Sequence, residues 1–302
     1  MAKVPPEKPL TREQIRRKVG IQRFLMPLLA RNMAGPKQVA GKELFLDTQA
    51  GKVRVLAYNL DRPERLPLYV NIHGSGFVVG HAEMDDPFMM NIALKADVKV
   101  LSIDYSLAPE AMFPSALNEC YGVVKYAREH PAELGIDPEK IALGGHSAGG
   151  NLSAAALLLD ADRHELGVKC LILDYPPLDM YTDPFLKPRP KKALPPRLCR
   201  IFDIAYAGSR EAAKNPLVSP LYAAVEQLKS FPPTLVITAG QDSLAPEAEA
   251  FKDKLVEAGV AVTYKRFESA RHGFTHFGDP EAAGAWQMMI DHLKRYVDRA
   301  GR

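Results

Sequence analysis

Cysteine is scarce in this chain of 302 residues: Cys120, Cys170 and Cys199 are an odd number without CxxC spacing. That excludes a disulfide framework or a cysteine zinc site as the organising element and fits a reducing compartment. An excess of one charge sign is also missing. The chain has 39 Lys and Arg against 36 Asp and Glu, dispersed along its length, which argues against nucleic acid as the main partner. Nowhere do about eighteen uncharged apolar residues run together, so no membrane span is expected. The first apolar stretch, Ile21 to Ala30, is broken by Gln22, Arg23 and Pro27 and lies behind a charged segment, unlike a secretory leader. A cytoplasmic protein is expected. Internal repeats and low-complexity tracts are absent as well.

What is present is an ordinary globular composition, 47% apolar and 25% charged, long enough for one large or two ordinary domains. Apolar side chains at Ile21, Phe24, Leu25, Leu28, Leu29 and Met33, behind Pro5, Pro6 and Pro9, follow a three-and-four spacing that predicts an amphipathic helix. From Glu43 the rhythm shortens to strand-like runs at Glu43–Asp47, Val53–Asn59, Leu68–Ile72 and Val98–Ile103. A helix is predicted over Pro114–Glu129, then a strand at Ile141–Leu143, a helix at Asn151–Leu159 and strands at Cys170–Leu173, Thr234–Thr238 and Ala261–Phe267. Runs such as Thr234-Leu235-Val236-Ile237-Thr238 lack period-two alternation and should be covered on both faces. The alternation predicts an α/β fold with a mostly parallel, doubly wound sheet. Tyr175 to Pro216 holds eight prolines and reads as an insertion over the carboxyl edge of that sheet.

Gly145-His146-Ser147-Ala148-Gly149 matches the GxSxG elbow, where small flanking residues let the chain turn sharply and expose a serine hydroxyl between strand and helix. Strand-like Ile141–Leu143 precedes it and a helix former follows, the context the elbow needs. No Lys-Ser or Lys-Thr pair follows the glycines, so a phosphate loop is excluded. His73-Gly74-Ser75-Gly76-Phe77 follows the Leu68–Ile72 strand, the expected place for an oxyanion loop, with the amides of Ser75, Gly76 and Ala148 as candidate donors.

A nucleophilic serine needs an imidazole to take its proton and a carboxylate to hold that imidazole, in the chain order Ser, acid, His. Asp242 follows the Thr234–Thr238 strand; Asp174 and Asp179 follow another and are alternatives. His272 follows the last strand-like run, with His276 as its competitor. His292, in the helical run Trp286–Val297, reads as a surface or satisfied histidine, and His81, His130 and His164 read as surface residues. No HxH or HExxH pair occurs, so no metal site is expected, and no cofactor is needed.

These motifs, with Asp104-Tyr105-Ser106-Leu107-Ala108-Pro109-Glu110 and Asn215–Pro220, resemble those of the hormone-sensitive-lipase-like carboxylesterases (family IV bacterial esterases), a branch of the α/β-hydrolase fold. The likeness spans roughly Leu66 to Val297. It implies a catalytic triad of Ser147, Asp242 and His272, an oxyanion hole from Ser75, Gly76 and Ala148, and supporting roles for His73 and Asp104. It further implies N-terminal cap helices over 1–45 and a catalytic domain over 46–302 with a cap insertion at about 175–216. Two positions depart from the family pattern: Ser75 stands where a third glycine is usual, and His146 where aspartate is usual.

The implied activity is hydrolysis of short- to medium-chain acyl esters through an acyl-enzyme, with a small-molecule substrate and room for a homo-oligomer. Two alternatives share the sequence signals: an inert small-ligand binder, and an amidase or lactonase using the same triad. Phe24, Leu25, Phe185 and Phe202 could line an acyl pocket, but helical spacing more often means core packing, and they are not assigned to it. Lys187, Arg189, Lys191, Lys192, Arg197 and Arg200 read as a solvated basic loop.

Overall fold

The apolar runs become one eight-stranded sheet in the computed structural model, which describes residues 10–29 and 35–298. Pro5, Pro6, Pro9 and Met33 lie outside the described residues. The strands are β1 (Lys42–Thr48), β2 (Gly51–Tyr58), β3 (Leu66–Ile72), β4 (Lys99–Asp104), β5 (Ile136–His146), β6 (Val168–Asp174), β7 (Thr234–Ala239) and β8 (Val262–Phe267). They lie in the order β1-β2-β4-β3-β5-β6-β7-β8. β1 and β2 form an antiparallel hairpin, β2 joins β4 antiparallel, and from β4 onward all pairs are parallel.

Helices fill the crossovers: α2 (Asp86–Ala96), α3 (Ser115–Glu129), α4 (Pro131–Leu134), α5 (Ala148–Asp160), α6 (Pro196–Ala207), α7 (Val225–Leu228), α8 (Ala245–Glu257) and α9 (Ala282–Val297), with α1 (Arg12–Leu29) preceding the sheet. The continuous apolar strands explain why both faces are covered. Leu171 and Leu173 of β6 pack into one core with α3, α5 and α8, while Cys170 and Ile172 pack into the other with α2 and α9. Successive side chains point to opposite faces. The predicted face of α3, carrying Ala116, Cys120, Val123, Val124 and Ala127, is fully buried.

Helix α1 forms where the spacing predicts it, yet a different side faces inward. Ile15 and Val19 are buried, whereas Ile21, Phe24 and Leu25 are exposed, Phe24 by 70%. Arg23 sets the rotation: its guanidinium donates to the carbonyls of Val78 and Ala108 and pairs with Glu110. Among the described residues, no helix is long and apolar enough to cross a membrane.

Of the two readings of His292, the satisfied one holds and the surface one does not. It is buried on α9, with Nε2 3.3 Å from the Pro233 carbonyl oxygen, and burial lowers its pKa to about 4. Between that value and the unfolded ~6.5, the unfolded chain binds the extra proton. The stability contributed by neutral His292 is therefore complete above pH ~6.5 and is lost as pH falls toward 4. We expect urea unfolding to show a His292→Gln variant losing about 3 kcal/mol less than wild type between pH 7 and pH 4. Parallel acid limbs would refute this.

Candidate active site

The end of β5 and the start of α5 form the elbow. Ser147 holds φ 53° and ψ −123°, a left-handed backbone conformation that a non-glycine residue adopts only under structural constraint. The turn is tight because α5 starts against β3: a Cβ on Gly149 would lie 1.8 Å from the Ile72 carbonyl oxygen. The amide of Ser147 donates to the Asp174 carbonyl at 2.8 Å, fixing the bend against β6.

Ser147 Oγ lies 2.8 Å from His272 Nε2, and His272 Nδ1 lies 2.6 Å from Asp242 Oδ2. Two backbone bonds between the loops after β7 and β8, Gly240 N to Phe267 O at 2.7 Å and Gln241 N to Ala270 O at 2.8 Å, hold acid and imidazole in register. The Tyr175 ring packs edge-on to His272 with centroids 5.0 Å apart. Asp242 is 3% exposed, so its attraction for the ring hydrogen is little screened by water.

The competing residues have other partners. Asp174 accepts from Thr275, and Asp179 from Tyr222 and the amides of Tyr181 and Thr182. His276 Nδ1 lies 2.9 Å from the Tyr175 hydroxyl and from Thr275 Oγ1. His130 and His164 are exposed as expected, while His81 is half-buried beside Glu83.

Past β3, three consecutive residues take positive φ: Ser75 at 105°, Gly76 at 64° and Phe77 at 65°. Among the described residues no backbone carbonyl accepts from the Ser75 or Gly76 amides. The Ala148 amide opens α5, where the first helical N–H groups have no intrahelical acceptor. The Ser75 hydroxyl turns back to the carbonyls of Gly74 and Val79, so the residue standing where glycine is usual closes the loop on itself. His73 stacks on Tyr105 with centroids 4.2 Å apart, and the Tyr105 hydroxyl donates to the His73 carbonyl at 3.1 Å. Ala108 N also donates to Phe77 O at 2.9 Å. Asp104 acts one step away, accepting from the Ala82 amide at 3.1 Å and from Arg54 at 2.9 Å.

A cavity of about 1080 Å³, mouth included, opens over Ser147 and His272. Leu194, Leu198, Cys199 and Phe202, from α6 and the chain before it, form its outer wall together with Met180. Phe202 packs on Gly76 so closely that a Cβ there would fall 2.4 Å from its ring. Of the four apolar residues singled out from sequence, only Phe202 lines this cavity. Phe185 instead lies under the guanidinium groups of Arg189 and Arg200, and Phe24 and Leu25 face outward.

The basic loop also divides. Arg189, Lys191, Lys192 and Arg197 are exposed, but Arg200 pairs with Asp183, and Lys187 lines the cavity with its ammonium 2.6 Å from Glu247. Burial pushes the Glu247 and Asp203 carboxyls up, opposed by that ammonium. The pair joins the 175–216 segment to α8, a contact between distant parts of the chain that no local pattern announces.

A second polar cluster lies behind the serine. Asp85 Oδ1 is 3.2 Å from His146 Nε2 and 3.3 Å from His276 Nε2, and the two imidazole rings have centroids 3.9 Å apart. Burial alone would raise the Asp85 carboxyl, but the facing imidazoles outweigh it and hold it well below the usual carboxylate range. Burial lowers His146. This convergence escaped the search for HxH and HExxH spacing because the three residues come from three separate segments of the chain, the 82–85 turn, the end of β5 and the loop after β8.

Comparison with known proteins places this geometry among relatives. A family model described as alpha/beta hydrolase fold matches residues 69–276. An arylesterase of Saccharolobus solfataricus is 31% identical over 94% of this chain and 90% of its own length. The hormone-sensitive lipase of Bos taurus is 47% identical over 115 residues, 37% of this chain and 15% of that protein. A solved esterase of Pyrobaculum calidifontis superposes with a TM-score of 0.80 at 30% identity, covering 96% of this chain and 99% of its own.

Proposed function

The chain belongs to the α/β-hydrolase fold family, in its hormone-sensitive-lipase-like branch of carboxylesterases, and hydrolyses carboxylic esters; we propose that it does so through an acyl-enzyme on Ser147. The observation that carries the assignment is the unbroken relay from Ser147 Oγ through His272 to Asp242, at 2.8 and 2.6 Å. His272 Nε2 takes the hydroxyl proton as Oγ bonds to the ester carbonyl carbon, and Asp242 stabilises the imidazolium. The carbonyl oxygen becomes an alkoxide, met by the amides of Ser75, Gly76 and Ala148. His272 then gives its proton to the departing alcohol, leaving the acyl group on Ser147. Water attacks that ester with His272 again as base, releasing the acid and restoring the serine.

Helix α1 and the 175–216 segment serve as the cap. Their contact supports this: α1 packs on α6, whose Phe202 closes over Gly76. The three cysteines, all buried free thiols, favour the cytoplasm. With apolar cap walls around the serine, the substrate class is short- to medium-chain acyl esters. A series of p-nitrophenyl esters from acetyl to hexadecanoyl should give the highest kcat/KM at short to medium length, falling at least about tenfold at the long end, a ~1.4 kcal/mol loss of transition-state stabilisation. A rate still rising at hexadecanoyl would exclude the short-chain assignment.

A further inference from the structure

We propose that Asp85, His146 and His276 form a binding site for one divalent cation of the zinc class at the floor of the cavity. Asp85 ends the turn of 3-10 helix over residues 82–85, His146 ends β5 beside Ser147, and His276 follows β8. All three are buried, Asp85 completely. Their ligand atoms lie within 4.8 Å of one another. A tetrahedral ion bound at about 2.0–2.2 Å spaces its ligand atoms roughly 3.3 Å apart. The 3.2 and 3.3 Å separations of Asp85 Oδ1 from the two Nε2 atoms match that spacing. Despite those distances, Oδ1 accepts no hydrogen bond of good alignment.

Hydrogen bookkeeping supplies the second argument. Asp85 Oδ2 is already held by Asn71 Nδ2 at 2.7 Å, which leaves Oδ1 facing the imidazoles. Thr275 gives its hydrogen to Asp174 at 2.9 Å, so Thr275 Oγ1 can only accept from the Tyr175 hydroxyl 2.6 Å away. With Asp174 ionised, both oxygens then offer lone pairs to His276 Nδ1, which carries the ring hydrogen. In that arrangement Nε2 turns its lone pair toward Asp85, the orientation a metal ligand requires. A single proton can bridge Oδ1 to one imidazole; one cation satisfies both.

Burial pushes the Asp174 carboxyl up, and a protonated Asp174 would reverse the chain and put the hydrogen on His276 Nε2. That arrangement needs no metal and is the outcome the experiment must separate. Two imidazoles and one carboxylate suit zinc rather than magnesium or calcium. Asn71 supplies the outer hydrogen bond to Asp85, and Tyr175 and Thr275 those to His276. His146 and His276 line the cavity, which gives an ion its way in. On the mechanism above, a dication on His146, which precedes Ser147 and lines the same cavity as His272, opposes formation of the imidazolium, so occupancy inhibits hydrolysis.

The full chain should be titrated with Zn²⁺ by calorimetry and with Co²⁺ by fluorescence. Trp286, the sole tryptophan, has its ring 5.4 Å from that of His276 and reports the site without reference to activity. Saturation at one equivalent, quenching by Co²⁺ that Zn²⁺ reverses, and affinity weakened about a hundredfold in His146→Gln and His276→Gln are expected. Absence of saturable binding, or binding unchanged in either variant that melts as wild type does, overturns the proposal. Should neither variant fold, the visible absorption of bound Co²⁺ in the wild type decides: intense tetrahedral bands support the site, and weak octahedral bands overturn it.

Discussion

Replacing Ser147 with alanine lowers kcat for a short acyl aryl ester by about six orders of magnitude, the expected loss when a member of such a unit is removed. Alanine has no oxygen to acylate, so His272 can at best assist a water that the site does not position. The fold should survive. Both residues carry a Cβ, so the backbone constraint at φ 53° is the same in each, and the one side-chain partner lost is His272. Stability within about 0.5 kcal/mol of wild type is therefore expected. A fluorophosphonate probe should label wild type once, at Ser147, and leave the variant unlabelled. Turnover by a folded Ser147→Ala protein within about tenfold of wild type would remove the nucleophile assignment, and with it the acyl-enzyme.

Much of the candidate site was legible because its residues are tied to short local patterns. GxSxG between a strand and a helix former locates Ser147, and His73 to Phe77 after a strand locates the oxyanion loop, since both depend on backbone turns encoded within five residues. The choice of base and acid was harder. Sequence order leaves His272 and His276 four residues apart, and Asp242 against Asp174 and Asp179. The decision rests on the two backbone bonds joining the loops after β7 and β8, and no local pattern encodes those.

The same limit applies to the segments proposed as a cap. A stripe of Ile21, Phe24 and Leu25 predicts a helix correctly but says nothing of which side is buried; Arg23, by reaching Val78 and Ala108, turns that stripe outward. Lys187 reads as a solvated cation until Glu247 meets it from α8. Asp85, His146 and His276 look scattered for the same reason: a parallel sheet gathers the ends of distant strands at one edge, and side-chain clusters there have no sequence spacing to betray them.

Asp242→Asn tests that long-range assembly with a change of a single hydrogen-bonding group. In wild type the carboxylate faces His272 Nδ1 at 2.6 Å with Oδ2, while Oδ1 accepts from the Leu244 amide at 3.1 Å. A carboxylate accepts at both oxygens, so the ring hydrogen stays on Nδ1 and Nε2 keeps the lone pair that takes the serine proton. Asparagine can accept at only one end. The Leu244 amide needs an acceptor, so the carboxamide oxygen turns toward it and the NH₂ group faces His272. Nδ1 must then be the lone-pair nitrogen, and the hydrogen moves to Nε2, pointing at Ser147 Oγ. That tautomer cannot serve as the base. We expect kcat to fall about 10⁴-fold at neutral pH with KM little changed, because the interaction lost acts in the transition state rather than in substrate binding. Asp242→Ala, which imposes no tautomer, should retain more activity than Asp242→Asn if the wrong hydrogen is the cause. Should the asparagine variant keep its rate within about tenfold, His272 would be oriented by something other than Asp242, and the 2.6 Å contact between them would be a structural pairing without a part in proton transfer.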